Sequence, residues 1–369
     1  MTDRLTLVIA GRRYDGWTSV RVTRGIDRCV ADFDIAVTER WANQDLLWRI
    51  LPFAPVTLWL GADLLLTGYV DAYNPAFGPD QHAVRITGRS KTADLVDCKP
   101  AIAGGQFAGY SYAAICRAVA ALFGIDVVVQ APGASAVVAD ATMERAETGF
   151  AFLERLGRMA GVLLTDDAQG RLVLTTAGST QAAGRLVQGQ NIQHASATLS
   201  GRRRFSIYTV MGQHGLTPGA TTVQTQQQAS ATDSLVPRFR PHVAMGETQM
   251  TQAQMQQRVN WMCAYAAGQA TKATITVPGW RQPDGTLWQP NQIVAVTSDW
   301  LGIDQDLLAA QVEYGLSDNE GSTTTLTVGP IEGYTPDPGE VRLHKKKGTR
   351  HGKKGGGSGV NYSGAGGIA

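Results

Sequence analysis

Few side chains in this 369-residue chain stand where their types and spacing do chemistry. Asp166 and Asp167 form an adjacent carboxylate pair. Glycosidases use two carboxylates, but set across a cleft at about 5–9 Å. Neighbours inside VLLTDDAQGRLVLTT instead read as turn residues, where Asp bonds the backbone just ahead of it. Ser111 in GYSYA approaches a nucleophile elbow, G-x-S-x-G, but Ala113 stands where the last Gly belongs. Ser111 reads as a helix N-cap. No GxGxxG, Walker A or HExxH motif is present.

The remaining polar groups give weak signals. His82, His194, His214, His242, His344 and His351 are scattered, with no i,i+4 pair for a metal. Asp15, Asp27, Asp32 and Asp34 lack the D-x-D-x-D-G spacing of a calcium loop and read as the solvated face of a strand. Arg202, Arg203 and Arg204 alternate faces if extended, which suits solvent or an interface better than one phosphate. Trp280, Trp288 and Trp300 sit at strand ends, where packing in a core or between subunits outweighs an exposed platform for sugars or bases. The densest charge is Lys345, Lys346 and Lys347 with Arg350, Lys353 and Lys354, an interaction candidate at the C-terminus. No catalytic, cofactor-binding or metal residue is assigned.

The elements that must position these residues are mainly strands. With 42 Gly and 15 Pro the chain has many turns. At about 100–200 residues per domain, it holds two to four domains. RCVADFDIAV (28–37) alternates acids with Phe33, Ile35 and Val37, the period of a sheet wet on one side. Short strands at close spacing predict a first β-barrel-like domain over 1–97. An α/β domain follows over 98–180, with helices from Ser111 (stripe Ile115, Val119, Leu122) and Thr148 (stripe Phe152, Leu156, Met159) and the hairpin around Asp166. A second β-barrel-like domain takes 181–212 and 270–335. Between its parts, 213–269 is a loop plus helix insertion: Leu216–Ala231 reads as a polar loop, and the helix stripe is Met255, Val259, Met262, Cys263, Ala266. Residues 336–369 read as a flexible basic Gly/Lys-rich tail. The fold class is α+β, and two β-modules around α/β material hint at an internal duplication.

Composition narrows the function classes. Charged residues are only 17% of the chain. From Arg342 onward there are seven basic and no acidic residues, leaving 26 basic against 31 acidic in the body, about −5. An acidic body argues against a dedicated nucleic-acid binder, which neutralises phosphates with cationic folded surface. Cys29, Cys98, Cys116 and Cys263 are too far apart for a zinc-type pair and read as free buried thiols. No apolar run reaches about 18 residues, so no stable membrane insertion is expected. The apolar stretch after MTDR is too short to read as a secretory leader, and synthesis in the host cytoplasm is expected.

The order of segments then carries a resemblance. GWTSVRVTRGIDRCVADFDIAVTERW, with Gly16, Trp17, Phe33 and Trp41, resembles the opening of contractile-tail phage baseplate hub proteins, the tail protein P family of the Mu-like branch. The wider group takes in the late control protein D family and the T4 hub. The similarity continues through Gly68, Tyr69, Val70, Asp71, then Gly88, Arg89, Ser90 and Asp94–Asp97, and resumes in VMGQHG, PRFRP and QRVNWMCAYAAGQA. Its most specific part is VPGWRQPDGTLWQPNQIVAVTSDW, with Gly279, Trp280, Gly285, Leu287, Trp288, Pro290 and Asn291, followed by Leu307, Leu308, Gly321, Thr323, Thr324 and Leu326. Residues 1–335 are covered; the Lys/Gly-rich tail departs from the pattern.

This resemblance implies a homotrimer in which two related β-barrels per chain form a pseudo-sixfold ring. Such a ring joins the sixfold tail tube protein to the threefold central spike protein, touches other baseplate proteins and lets DNA pass only as cargo. It implies a structural virion protein of the tail baseplate, with no enzyme activity and no cofactor. The alternative is a tail-associated carbohydrate- or peptidoglycan-active protein; a third reading is nucleic-acid binding through the tail.

Overall fold

The computed structural model describes residues 4–38, 50–78, 82–100, 105–212, 228–246 and 250–338. It is mostly β with few helices. The N-terminal strands are β1 (Leu5–Ile9), β2 (Arg12–Tyr14), β3 (Ser19–Gly25), β4 (Asp32–Thr38), β5 (Pro55–Leu60), β6 (Asp63–Phe77) and β7 (His82–Ser90). Alternate residues point inward, as in β1, where Leu5, Leu7 and Ile9 are buried. β6 and β7 cross closely at glycines: a Cβ on Gly88 would lie 2.2 Å from the Tyr69 carbonyl oxygen and 2.5 Å from the Phe33 ring.

A short helix, α1 (Ala93–Asp97), leads into the α/β material. It comprises β8 (Gln106–Phe107), β9 (Tyr110–Ser111), α2 (Tyr112–Ala121), β10 (Val127–Val129), β11 (Val137–Val138), β12 (Ala141–Thr142), α3 (Gly149–Ala160), β13 (Leu163–Asp166) and β14 (Leu172–Thr175). Ser111 and Thr148 cap α2 and α3, their hydroxyls accepting the Ala114 and Ala151 N–H groups. Ile115, Val119, Phe152 and Leu156 enter one core with the β13–β14 hairpin. Leu122 and Met159, expected on the same stripes, are exposed. Leu122 already lies beyond the last turn of α2, and Met159 sits at the outer end of α3.

The rest of the chain is β15 (Thr180–Gln181), β16 (Leu186–Val187), β17 (His194–Leu199), β18 (Ile207–Met211), β19 (Gln228–Thr232), β20 (Pro241–Met245), α4 (Gln252–Gly268), β21 (Thr271–Pro278), β22 (Gln292–Ser298), β23 (Ile303–Ser317) and β24 (Gly321–Gly329). α4 begins with a capping box from Thr251 and Gln254. Its expected stripe faces β18 and β19: Met255 and Val259 are buried, and Met262, Cys263 and Ala266 pack beside them.

Two expectations change here. β18 does not join the large sheet, as its placement in 181–212 supposed; it is the centre of a separate three-stranded sheet with β19 and β20. The α4 stripe needs a cover, and β18 and β19 supply it. The polar run Leu216–Ala231 lies partly outside the described residues, but its end, from Gln228, is strand β19 paired to β18. β-pairing needs only backbone groups, so polar side chains do not exclude it.

The large sheet has fourteen strands and runs through both β-rich halves. Among the described residues it does not close on itself, so the barrel-like form expected of each half is an open sheet. Its order carries a repeat. In the first half the neighbours run β3-β4-β7-β6-β5-β1; in the second they run β17-β21-β24-β23-β22-β16. β6 and β23 are each 15 residues, each followed by a nine-residue strand. Each long strand bulges near its middle, between Val70 and Ala72 and between Ala309 and Gln311. Aligned on those bulges, Ile35 and Val37 of β4 fall on Ile275 and Val277 of β21. The Thr18 N–H to Ala36 O bond (3.0 Å) falls on the Gln193 N–H to Thr276 O bond (2.9 Å). One difference is that β1 joins β5 antiparallel, whereas β15 and β16 join β22 parallel. The halves meet where β3 pairs antiparallel with the outer arm of β23, from Val20 opposite Leu316 to Gly25 opposite Gln311. A single core spans both.

Candidate functional site

The strongest polar constellation in the body is built around one half of the carboxylate pair. Asp167 is the turn residue expected, its carboxylate accepting the Gln169 and Arg171 N–H groups and pairing with the Arg171 guanidinium. Asp166 is not: it ends β13 and is 5% exposed. Its Oδ2 accepts the Ala31 N–H at 3.0 Å, and the Ser90 hydroxyl bonds the same carboxylate. Ser90 Oγ also lies 2.9 Å from Thr92 Oγ1, which donates to the Cys29 carbonyl at 2.6 Å. Thr165 donates to the Gly25 carbonyl at 2.8 Å. The N-terminal half, α1 and the α/β hairpin are therefore tied at one buried point.

Arg24 extends this joint to the C-terminal half. It is 5% exposed and sends one guanidinium nitrogen to the Asp166 carbonyl oxygen (3.4 Å) and another to Gln289 Oε1 (3.0 Å). Nearby, Asn291 takes a positive φ of 70°, which Asn tolerates better than most residues. Its side chain accepts the Gly178 N–H (2.8 Å) and donates to the Thr176 carbonyl (2.9 Å) and Ser179 (2.9 Å). Burial pushes the Asp166 carboxyl above its ordinary value of 3.8, with Arg24 opposing. Burial and the Asp166 charge push the Cys29 thiol up. A buried carboxyl bonded on both sides has no route to a substrate. The chemistry of this cluster is cohesion: apart from the buried Arg24 Nε, the donors named here each meet an acceptor.

The other candidates also resolve into structure. Asp32 and Asp34 line one face of β4, paired with Arg28 and with Arg85 and Arg21. Arg204 forms a two-pronged pair with Asp233 at 2.8 and 2.9 Å. Trp280 and Trp288 are buried; Trp280 Nε1 donates to the Gly315 carbonyl at 2.8 Å, and the Tyr314 hydroxyl donates to the Trp288 carbonyl. Trp300 is 88% exposed. Cys98 is exposed, contrary to the expectation of buried thiols, while Cys29 and Cys116 are buried. Among the described residues, no group of three or more His, Cys, Asp or Glu could hold a metal ion. Nor, among them, is any helix long and apolar enough to cross a membrane. Lys345, Lys346, Lys347, Arg350, Lys353 and Lys354 lie outside the described residues.

An open cleft of about 600 Å³ lies between α3, α4 and the turn after β24. Its lining holds no Ser, Cys or His, and its Glu154 is paired to Arg158 at 2.8 Å. Burial pushes Tyr334, on its wall, up to about 12. Reading missed the Asp166 joint, yet one signal was present. Val20, Val22 and Arg24 share a strand parity, which puts an arginine on a buried face.

Three family descriptions match in chain order. They are Mu phage baseplate assembly protein GpP-like, N-terminal (4–90); baseplate hub protein gp44-like, second domain (92–176); and Mu phage baseplate assembly protein GpP, fourth domain (251–337). The chain is 31% identical over 361 residues to baseplate hub protein gp44 of Escherichia phage Mu, covering 95% of this chain and 94% of that protein. The fold is similar to the 43 kDa tail protein of prophage MuSo2 from Shewanella oneidensis, with a TM-score of 0.81, 31% identity and coverage of 90% and 99%. It is also similar to the tail protein from Neisseria meningitidis MC58, with a TM-score of 0.76, 20% identity and coverage of 92% and 99%.

Proposed function

The chain belongs to the baseplate hub family of Mu-like phage tails, and from that premise we propose that it works as a homotrimeric symmetry adaptor between the sixfold tail tube and the threefold central spike. The observation that carries this reading is the repeated strand order. A chain with two copies of one sheet unit presents six similar units when three chains close a ring. One face then matches a sixfold partner, while the whole keeps threefold symmetry for the other. The body's net charge of about −5 suits a central passage that does not hold DNA.

In this proposal the chain divides into a first β-unit (1–97), an α/β unit (98–180) and a second β-unit (181–206 with 270–335). The α4 unit is inserted between the parts of the second β-unit. The basic run Lys345–Lys354 contacts the spike or another baseplate protein, and the hub works by geometry rather than catalysis. Light scattering on the purified chain tests the assembly: three chains of 39.4 kDa give about 118 kDa for a closed cyclic trimer. A mass of one chain at every concentration overturns it. Deleting 342–369 tests the tail, because a truncated trimer that still docks the spike at full strength removes its proposed role.

A further inference from the structure

The repeat leaves two edges whose equivalents are already filled inside the chain. β3 covers the outer arm of β23. The equivalent of β3 is β17, and the equivalent of that arm is the end of β6, Ala72–Phe77. β17 pairs only with β21, and the β6 arm pairs only with β7, among the described residues. β5 stops at Pro55 opposite Tyr69 and, among the described residues, leaves the other side of the arm uncovered. Both edges are exposed: Asn74–Phe77 entirely, and β17 at every residue but Ala197. Leu199 (64% exposed) and Phe77 (89%) are large apolar side chains left in water on them.

Neither edge has the charge that usually protects a strand edge from pairing. β2, at the far end of the sheet, is three residues long with exposed Arg12 and Arg13. β17 reads His-Ala-Ser-Ala-Thr-Leu, and the arm from Ala72 contains no charged residue.

We propose that β17 of one chain adds antiparallel to the β6 arm of the next, repeating between copies the β3–β23 ladder made within each. This rests on the ring reading above and names the contact that closes it. The internal ladder sets the register: Val20 opposite Leu316 maps to Ala195 opposite Phe77, and Val22 opposite Tyr314 maps to Ala197 opposite Pro75. The parity agrees. Ile26 N–H donates to Ala310 O (2.8 Å), so Val20, Val22 and Arg24 point their backbone groups at β23. Ser200 N–H donates to Ala270 O (2.7 Å), so Ala195, Ala197 and Leu199 point theirs away from β21. These are the same positions in the repeat. Pro75 falls where the arm's backbone faces outward, so its missing N–H breaks no bond to β7. It accepts through its carbonyl only, and the ladder has one bond fewer than the internal one. The two edges differ in sequence, so the contact is heterologous and excludes a two-fold dimer; with the threefold closure of the ring reading it makes a closed ring rather than an open filament.

The test is a register-specific cross-link on the full chain with Cys98→Ser. Asn74 and Thr198 fall on a non-hydrogen-bonded pair, where Cα atoms lie about 4.5 Å apart and a disulfide fits. Under a mild oxidant, Asn74→Cys with Thr198→Cys gives covalent dimers and trimers, with no larger species. Asn74→Cys with Ser196→Cys, two residues out of register, gives none. Ala197→Pro removes an outward N–H without touching the β21 ladder, and its mass falls to one chain while its circular dichroism is unchanged. A folded trimer that does not cross-link through Asn74→Cys and Thr198→Cys overturns the ladder but leaves the trimeric hub standing. A monomeric wild-type chain, together with an Asn74→Cys, Thr198→Cys variant that never cross-links, overturns both.

Discussion

The Ala31 N–H donates to the Asp166 carboxylate at 3.0 Å, across 135 residues of chain, and holds the α/β hairpin against the first β-unit. Replacing the carboxylate removes one of the two acceptors of the buried Ala31 N–H, leaving Ser90 Oγ at 3.1 Å, and takes away the charge that faces Arg24. Asp166→Ala costs about 2 kcal/mol of stability, as loss of buried hydrogen bonds to a carboxylate does. A urea titration checks this, and a loss under about 1 kcal/mol shows the joint to be slack.

The same residue gives a pH dependence with a defined sign. Burial holds Asp166 above 3.8 in the folded chain, so the native state keeps its proton more tightly than the unfolded state. Its contribution is fully present below about pH 3.8 and is lost as pH rises through the native value. Asp166→Asn lacks that loss, so its stability relative to wild type rises with pH across this window. Urea midpoints at a series of pH values measure it; a flat difference contradicts the assignment. Asp34 and Asp97, held low by Arg85 and Arg89, act with the opposite sign and are common to both proteins.

Gly88 is fixed by the approach of two strands. Gly88→Ala drives a methyl to 2.2 Å from the Tyr69 oxygen and into Phe33, backbone and a buried ring that cannot move aside. The expected loss is about 3 kcal/mol, read as a lowered thermal midpoint. Gly189→Ser, with nothing within 4 Å but a φ of +78°, tests backbone strain separately and costs less.

The tryptophans separate core from surface. Trp280→Ala removes a buried ring and its bond to Gly315, costing about 3–5 kcal/mol. Trp300→Ala changes monomer stability by less than about 0.5 kcal/mol. Chemical denaturation of the two variants makes the comparison; equal losses contradict the burial.

Thiol reactivity follows exposure. Cys98 reacts with an aromatic disulfide reagent in the native chain, whereas Cys29 and Cys116 wait for unfolding. Burial holds the Cys116 thiol at about 12, so almost none is thiolate at neutral pH. Fast labelling of three or more thiols in the folded protein contradicts this.

Much of the fold was legible from local pattern. Ser111 and Thr148 announced their helices because an N-cap is a short-range bond, and β4 showed its alternation because one of its faces is wet. β19 was not legible. Its Gln-Ala-Ser-Ala-Thr run lacks strand chemistry, and only β18 and α4 beside it supply the partner. Asp166 was misread for a related reason: a turn and a buried strand end are one residue apart, and spacing does not say which carboxylate faces the core.

By itself, the sequence determined the β-rich character, the helix starts, the family resemblance through its ordered Gly, Trp and Asn positions, and the absence of familiar catalytic motifs. These rest on contacts within a few residues or on patterns a single chain displays. Tertiary structure alone decided the repeat, the buried Arg24–Asp166 joint and the two edges left unpaired among the described residues. Each depends on pairing between segments up to three hundred residues apart, and backbone hydrogen bonding leaves no residue signature of its partner.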